Sequence, residues 1–195
     1  MYIIELRSDN SRKMTPEYLQ KKGFCNFNKI QTGKYAFHYE IFVDETDLKK
    51  YIKLANKYRY NYIYYDCKYE RSVDYRDCYL KNTKPPYRCR YCNRKLTKES
   101  LTVDHLIPVD SAKKSKAARK LLKKNGCDSV NDINNLVPAC SSCNRRKSNL
   151  MGLWYIRGKL GVYRWYWYIV YAVRVIISLL IVCAVLYGIW KSATY

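Results

Sequence analysis

The sequence predicts an α+β fold in three parts, and three observations lead to this expectation. Strand-like alternation and helical spacing share the first 84 residues, two Cys-x-x-Cys pairs frame a polar segment after them, and a long apolar run follows. These patterns predict a small α+β module at residues 1–84, a zinc-stabilised domain at 85–150, a linker at 151–164 and a transmembrane helix at 165–190.

Periodicity justifies the first module. Tyr2–Arg7 reads as a short apolar strand, and Lys34–Val43 alternates so that every second side chain is aromatic or aliphatic. Asp44 can cap a helix whose apolar residues recur at helical spacing. Tyr60–Tyr65 then returns to strand-like composition. A proline pair after Lys84 marks the boundary of the module, because proline restricts the backbone on both sides.

The charge of the chain indicates a polyanionic partner. The sequence has 37 Lys and Arg residues against 16 Asp and Glu residues, a net charge of +21. The excess is densest at residues 85–150, with 15 basic and 5 acidic side chains. A field of this sign attracts polyphosphate and accelerates its encounter. Solubility and binding to anionic lipid are the alternative interpretations.

Four of the nine cysteines form two close pairs, Cys89 with Cys92 and Cys140 with Cys143. Four thiolates can close a tetrahedral structural zinc site, and two pairs that flank a compact polar segment favour one. Two disulfides are the alternative. They conflict with the first residues, which do not form a signal peptide, and with the odd number of remaining cysteines.

Polar motifs stand in a characteristic order around the cysteine pairs. Val103–Pro108 contains an Asp-His step, Asn134–Pro138 leads into the second pair, and Asn144–Lys147 follows it. This order resembles that of the HNH endonucleases, and the resemblance covers residues 89–149. It implies a ββα-metal fold, in which two strands and a helix surround one catalytic metal ion.

The resemblance also implies the role of each site residue. His105 would be the general base, and Asp104 with Asn144 would bind a catalytic Mg²⁺ or Mn²⁺. Asn135 would fix the loop that carries the base through hydrogen bonds, with Asn134 as the alternative if the register differs by one. Histidine titrates near neutral pH, and carboxylate and amide oxygens suit a hard cation, so the chemistry agrees. Adjacent residues on a strand face opposite sides, so both Asp104 and His105 can serve one site only where the strand turns.

Basic side chains near these motifs are predicted to contact DNA. Arg145, Arg146 and Lys147 would neutralise phosphates near the cut. Ser111–Asn125 is predicted to be one helix, and it would track the phosphate backbone. Its candidate contacts are Lys113, Lys116, Arg119, Lys120 and Lys123. A solvated basic helix packed by its leucines is the alternative, and RNA remains open as a partner.

The apolar run Trp165–Trp190 predicts a membrane span. As a helix it would be roughly 39 Å long, against a hydrocarbon core of about 30 Å. Its single charge, Arg174, would lie near one interface, and Trp165–Tyr168 would form an aromatic belt. More positive charge precedes the run than follows it, which places the preceding domain on the cytoplasmic side. A buried or interfacial helix is the alternative.

Together these features predict a membrane-anchored HNH endonuclease that hydrolyses DNA with a histidine base and one metal ion. Two other hypotheses remain. One is a non-catalytic zinc protein that tethers DNA at the membrane, and the other is a nuclease that faces the outside. The role of residues 1–84, the cut-site preference and the oligomeric state stay open.

Overall fold

The computed structural model describes residues 1–8, 14–30 and 37–193, which form two compact units. The first unit contains Met1–Thr83 and Ile107–Leu136, and the second contains Lys84–Leu106 and Val137–Tyr195. The mixed α+β class is therefore confirmed, with eight α-helices and small sheets among the described residues. The predicted domains at 1–84 and 85–150 are continuous in sequence, whereas Ile107–Leu136 groups with the first unit.

Four strands and three helices come first in the first unit. They are β1 (Tyr2–Ser8), α1 (Pro16–Lys21), β2 (Phe27–Ile30), β3 (Phe37–Val43), α2 (Glu45–Lys57), β4 (Asn61–Asp66) and α3 (Tyr75–Asn82). The strands form one antiparallel sheet in the order β2-β3-β1-β4. The predicted strands and the helix after Asp44 are thus confirmed, except that Lys34–Ala36 lie outside the described residues.

Alternation along β1 separates two faces of the sheet. Ile4 and Leu6 are buried in an apolar core with Ile41 of β3 and with residues of the α1 and α2 helices, Leu19 and Ala55 among them. Full burial of an aliphatic side chain stabilises a fold by about 2 kcal/mol. The apolar positions that predicted the strands therefore also explain why the helices cover this face.

The opposite face of β1 carries a buried charge, Glu5. The Tyr65 hydroxyl lies 2.6 Å from Glu5 and 2.8 Å from Glu70, and its single proton is shared between the two carboxylates. Arg7 pairs with Glu5, and the Lys113 Nζ lies 3.3 Å from Glu5 and 2.6 Å from Glu70. These contacts hold the segment that contains Lys113 to the sheet, because an unpaired carboxylate could not stay buried there.

The predicted helix Ser111–Asn125 is two helices, α4 (Val109–Lys114) and α5 (Lys116–Lys124). Ser115 is extended between them, and its hydroxyl accepts from the Ala118 amide at the start of α5. The Arg119 guanidinium donates to the carbonyls of Ala112 and Lys113 and so satisfies the end of α4. A single helix was therefore a wrong prediction: a serine that caps a helix competes with continuing one.

Two of the predicted phosphate contacts on these helices are internal instead. The Lys113 side chain is 13% exposed and is held by two glutamates. Arg119 is occupied by backbone carbonyls and lies over the Tyr69 ring. The side chains of Lys116, Lys120 and Lys123 are exposed, as predicted.

The second unit contains two pairs of strands and three helices. The strands are β5 (Tyr87–Arg88), β6 (Lys95–Leu96), β7 (Leu101–His105) and β8 (Leu136–Cys140), and the helices are α6 (Ser141–Lys147), α7 (Leu153–Leu160) and α8 (Arg164–Ala193). Strand β5 pairs with β6, and β7 pairs with β8. The predicted linker at 151–164 contains helix α7, so it is largely folded.

Two glycines let the region around α7 pack closely on this unit. A Cβ atom at Gly158 would lie 2.3 Å from Leu106 and 3.0 Å from Tyr91. A Cβ atom at Gly161 would lie 2.0 Å from the Arg90 carbonyl oxygen. At Gly161 the clash is with backbone, so only glycine fits there, whereas at Gly158 the side chains of Leu106 and Tyr91 would have to shift to admit a Cβ atom.

Helix α8 is long and apolar enough to cross a membrane, and its apolar window is not buried within the protein. Its first turns belong to the folded unit. The Trp167 indole is 5% exposed, and its Nε1 donates to the Gly161 carbonyl at 3.0 Å. Trp167 therefore packs inside the fold and is not part of the predicted aromatic belt, while Trp165 and Tyr168 are exposed.

We predict that Glu5→Gln destabilises the first unit by about 2–3 kcal/mol, since it removes charge-assisted hydrogen bonds. Burial raises the pKa of Glu5, but hydrogen bonds from His38, Tyr65 and Arg7 outweigh it and hold the pKa well below its usual range. A lowered pKa stabilises the fold above the unfolded pKa of about 4.3 and loses that contribution as the pH falls below it. Hydrogen exchange in the Tyr2–Ser8 peptide should thus differ most between variant and wild type near neutral pH.

The difference should shrink below about pH 4. Glu40, whose pKa burial raises, contributes in the opposite direction and is present in both proteins. Glu45→Gln, an exposed change in the first turn of α2, is the matched control and should leave exchange unchanged. Equal protection in wild type and Glu5→Gln at pH 7 would contradict the prediction.

Candidate metal centre and active site

The four predicted cysteine ligands converge on one point in the second unit. The sulfur atoms of Cys89, Cys92, Cys140 and Cys143 all lie within 4.8 Å of one another. The Cys92 and Cys140 sulfurs are 3.9 Å apart. A tetrahedron with zinc–sulfur bonds of about 2.3 Å requires sulfurs about 3.8 Å apart. The geometry and the donor atoms therefore fit a zinc-like ion.

Local backbone structure places each pair. The Cys89 amide donates to the Arg94 carbonyl and the Asn93 amide to the Cys89 carbonyl, which folds the first pair into a tight loop. Asn93 has a φ of 64°, a conformation that asparagine tolerates. Cys140 ends β8, and Cys143 lies in the first turn of α6. The Arg90 amide donates to the Pro138 carbonyl at 2.8 Å and so joins the two arms.

Two of the four thiols resist ionisation, whereas Cys140, despite its burial, has a pKa lowered by hydrogen bonds from Cys143 and the other cysteines. Burial raises the pKa of Cys89 and of Cys143. Thiolates are the species that bind metal, so an arriving cation must displace protons from at least these two sulfurs.

The candidate catalytic residues lie beside this centre on β7 and α6. Thr102 and Asp104 lie two residues apart on β7 and therefore share one face of the strand, while His105 occupies the alternate position. The Asn144 Nδ2 donates to the Thr102 hydroxyl at 3.2 Å, and the Lys147 Nζ lies 3.0 Å from the Asp104 carboxylate. One face of α6 thus packs on one face of β7. Strands β7 and β8 with helix α6 form a unit of two strands and one helix.

Lys147 corrects the sequence-based expectation. It was predicted to neutralise DNA phosphate, but its side chain is fully buried. Its ammonium group pairs with Asp104 and donates to the His105 carbonyl at 2.8 Å. The physical reason is helical spacing: Lys147 lies three residues after Asn144 and therefore faces β7 with it. Arg145 and Arg146 remain exposed and line an open hollow of about 430 Å³ with Ser142.

Tyr91 is a contact that sequence reasoning missed. It lies between the cysteines of the first pair, and its hydroxyl donates to the Asp104 carboxylate at 2.6 Å. Its ring also meets the Trp154 ring edge-on at 5.4 Å between centroids. An aromatic residue inside a Cys-x-x-Cys loop gives no sign of such a partner, because the contact depends on a strand 13 residues away.

The Asp104 carboxylate is therefore buried and surrounded by donors. Burial raises the pKa of Asp104, and the Lys147 ammonium and the Tyr91 hydroxyl oppose that shift. A cation that binds this carboxylate must compete with a lysine already paired to it. His105 is 2% exposed at the end of β7, so its side chain is buried within the unit.

Asn135 fixes the chain just after the Asp-His step. Its Oδ1 accepts from the Ile107 amide at 2.8 Å, and its Nδ2 donates to the carbonyls of Ile107 at 3.2 Å and Val130 at 2.7 Å. Ile107 lies two residues after His105. Asn134 is exposed, so the register at Asn135 is the one with hydrogen bonds to this loop.

No protein-family model matches the chain, and the curated proteins contain no match to it either. The description of the site therefore depends on its own residues: a four-cysteine centre, a two-strand and one-helix unit, and a buried Asp104–Lys147 pair.

We predict that the purified protein binds one zinc ion per chain and that Cys140→Ser abolishes binding. Affinity should fall as the pH decreases, because bound protons must leave the buried thiols. Elemental analysis gives the stoichiometry, and competition with a chromophoric chelator between pH 6 and 8 gives the affinity. Cys183→Ser, which removes an exposed thiol from α8, is the matched control and should bind zinc normally. Equal zinc content in wild type and Cys140→Ser would refute the centre.

Proposed function

We propose that the protein is a membrane-anchored, metal-dependent endonuclease of the HNH type that hydrolyses DNA phosphodiester bonds. One observation supports this most strongly. The Asp-His step and the asparagine of α6 lie on neighbouring elements of a two-strand and one-helix unit, next to a four-cysteine centre. The order of the motifs in the sequence is consistent with this arrangement.

In this proposal His105 takes a proton from the attacking water. A histidine suits this task near neutral pH. The Lys147 ammonium holds the His105 carbonyl, and Asn135 holds the backbone at Ile107, so the backbone at the base and just after it is fixed. Because His105 is almost fully buried, the water would be positioned in a confined space rather than drawn from bulk solvent.

Asp104 and Asn144 would hold the catalytic Mg²⁺ or Mn²⁺. Their carboxylate and amide oxygens are the donors that such hard cations prefer, and Mg²⁺ commonly binds through few protein ligands together with water and phosphate. The ion would supply charge stabilisation at the phosphate and the leaving oxygen. Arg145 and Arg146 would bind neighbouring phosphates of the DNA. The exposed Lys116, Lys120 and Lys123 of the first unit are further candidate phosphate contacts.

The α8 helix would span the bilayer, with the second unit on the cytoplasmic side. Arg157, Lys159 and Arg164 precede its apolar part, while only Lys191 follows it. Excess positive charge stays on the cytoplasmic side of a span.

A second candidate function has its own supporting observation. The Asp104 carboxylate is occupied by Lys147 and Tyr91, and this arrangement suits a purely structural role as well as a catalytic one. A non-catalytic zinc protein that tethers DNA at the membrane would keep the cysteines and the basic surface but would never cut.

Plasmid nicking separates the two functions. We expect the full-length protein in detergent to nick supercoiled DNA with Mg²⁺ or Mn²⁺, and His105→Ala to lower the rate by roughly 10²–10⁴-fold, because the general base is lost. A gel-shift assay should show that the variant still binds DNA. Asn134→Ala, an exposed change near the site, is the control and should nick at the wild-type rate. A wild-type protein that binds DNA but cuts with neither metal would favour the tether.

Tyr91→Phe should slow nicking by roughly 10-fold while zinc stays bound, since a hydrogen bond to a metal-binding carboxylate orients it. The loss should be partly reversed by a higher Mg²⁺ concentration, which a general folding defect would not show. Tyr163→Phe removes an exposed hydroxyl from the same unit and serves as the control. An unchanged metal dependence in Tyr91→Phe would remove Tyr91 from the proposed site.

A further inference from the structure

A groove lies where the second unit meets the start of α8. It has a volume of about 540 Å³, and Arg88, Asn93, Arg164, Trp167 and Tyr171 line it. Its residues take no part in the proposed cleavage. The groove is formed by the β5–β6 hairpin on one side and by the first turns of α8 on the other.

Hydrogen bonds fix the wall of this groove. The Arg88 guanidinium donates to the backbone carbonyl of Asn93 at 3.1 Å. The side-chain amide of Asn93 donates from Nδ2 to the Tyr171 hydroxyl at 3.3 Å. The indole of Trp167 packs beside Tyr171 and is held by the Gly161 carbonyl. The hairpin and the helix are thus joined through side chains of the groove itself.

The charge of the groove selects an anion. Arg88 and Arg164 both line it and are both exposed, and the described residues that line it include no acid. Guanidinium groups match phosphate oxygens in a bidentate geometry, and the positive end of the α8 dipole lies at Arg164. A phosphate group with these two arginines on either side fits the chemistry of this site.

The position of the groove along α8 identifies the source of the phosphate. A hydrocarbon core of about 30 Å requires about 20 helical residues. Counted back from Trp190, such a span begins at Tyr171. Arg164 then lies about 10 Å outside the hydrocarbon, in the headgroup layer, and Tyr168 and Tyr171 lie at the interface where such residues concentrate. A nucleic-acid strand would have to enter the headgroup layer to reach this groove, whereas a lipid phosphate is already there.

We propose that this groove binds the headgroup phosphate of an anionic phospholipid, with Arg88 and Arg164 as its ligands. The inference rests on the membrane placement of the proposed function. A zwitterionic headgroup fits less well, because its own cation would face the two guanidinium groups. Basic pockets beside membrane helices bind anionic headgroups in this way.

Thermal unfolding of the full-length protein in a neutral detergent tests the proposal. All four tryptophans belong to the second unit, so their fluorescence reports on the unit that contains the groove. We expect phosphatidylglycerol to raise the unfolding midpoint by about 3 °C or more. Phosphatidylcholine and inorganic phosphate at the same concentration should give less than a third of that shift.

Charge variants show whether the groove is responsible. The double variant Arg88→Gln/Arg164→Gln should lose the shift, while Lys98→Gln/Lys159→Gln, which removes two exposed charges of the same unit outside the groove, should keep it. A shift that persists in the groove variant would overturn the proposal, as would an equal shift from phosphatidylcholine or from inorganic phosphate alone. The lipid comparison on the wild type remains decisive even if the groove variant does not fold.

Failure of this inference is distinguishable from failure of the proposed function. Alkaline carbonate extraction shows whether the protein is integral to membranes, and the groove variant should still nick DNA. An integral, active protein with no response to phosphatidylglycerol would refute the groove alone. A protein that carbonate removes from membranes would refute the membrane placement and the groove together.

Discussion

The second unit depends on bringing two cysteine pairs to one point although they are far apart in the chain. Cys92 and Cys140 are 48 residues apart in sequence, and their sulfurs lie 3.9 Å apart. Closing a loop of this length costs conformational entropy, and a zinc-like ion at the four sulfurs would offset that cost by binding only the closed form. The intervening segment Ile107–Leu136 forms part of the other unit, so the two cysteine pairs that meet lie before and after this segment. The meeting of the two cysteine pairs joins strand β8, helix α6 and the first cysteine loop.

The buried Asp104–Lys147 ion pair determines the electrostatics of the candidate active site. Isolating Asp104 or Lys147 from water would cost several kcal/mol, roughly, and each offsets the desolvation of the other. The pair has no net charge, so a divalent ion would add positive charge beside an otherwise neutral pair. Nucleic-acid phosphate brings the compensating negative charge with it. In the proposed enzyme, metal and substrate would therefore bind more tightly together than separately, which is a coupling between two ligands rather than a property of either.

Short-range patterns account for most of what the sequence predicted correctly. Alternation in β1 and β3 and helical spacing in α2 depend on which face each residue presents, and this is visible in the sequence. The cysteine spacing and the apolar run of α8 are equally local. Ser115, Lys147 and Tyr91 show why the rest was missed. Their roles depend on a competing cap, on the face that α6 turns to β7, and on a partner from another element.

The segment between helix α6 and helix α8 shows the same difference. Its composition resembles that of a linker, yet Gly158 and Gly161 let it pack against the cysteine loop. Only the surrounding atoms in the structure show that a side chain at either glycine would collide with them.

In the proposed membrane placement, the close packing at these two glycines has a further consequence. A flexible tether would let a catalytic domain rotate and sweep a hemisphere above the lipid. Here helix α7 packs on the cysteine loop through Trp154, and Trp167 of α8 is hydrogen-bonded to Gly161. The second unit would therefore be held at one height and in one orientation above the bilayer. Such a protein would diffuse in two dimensions and act on whatever strand passes within a thin layer over the surface, and its reach would be set by geometry rather than by affinity.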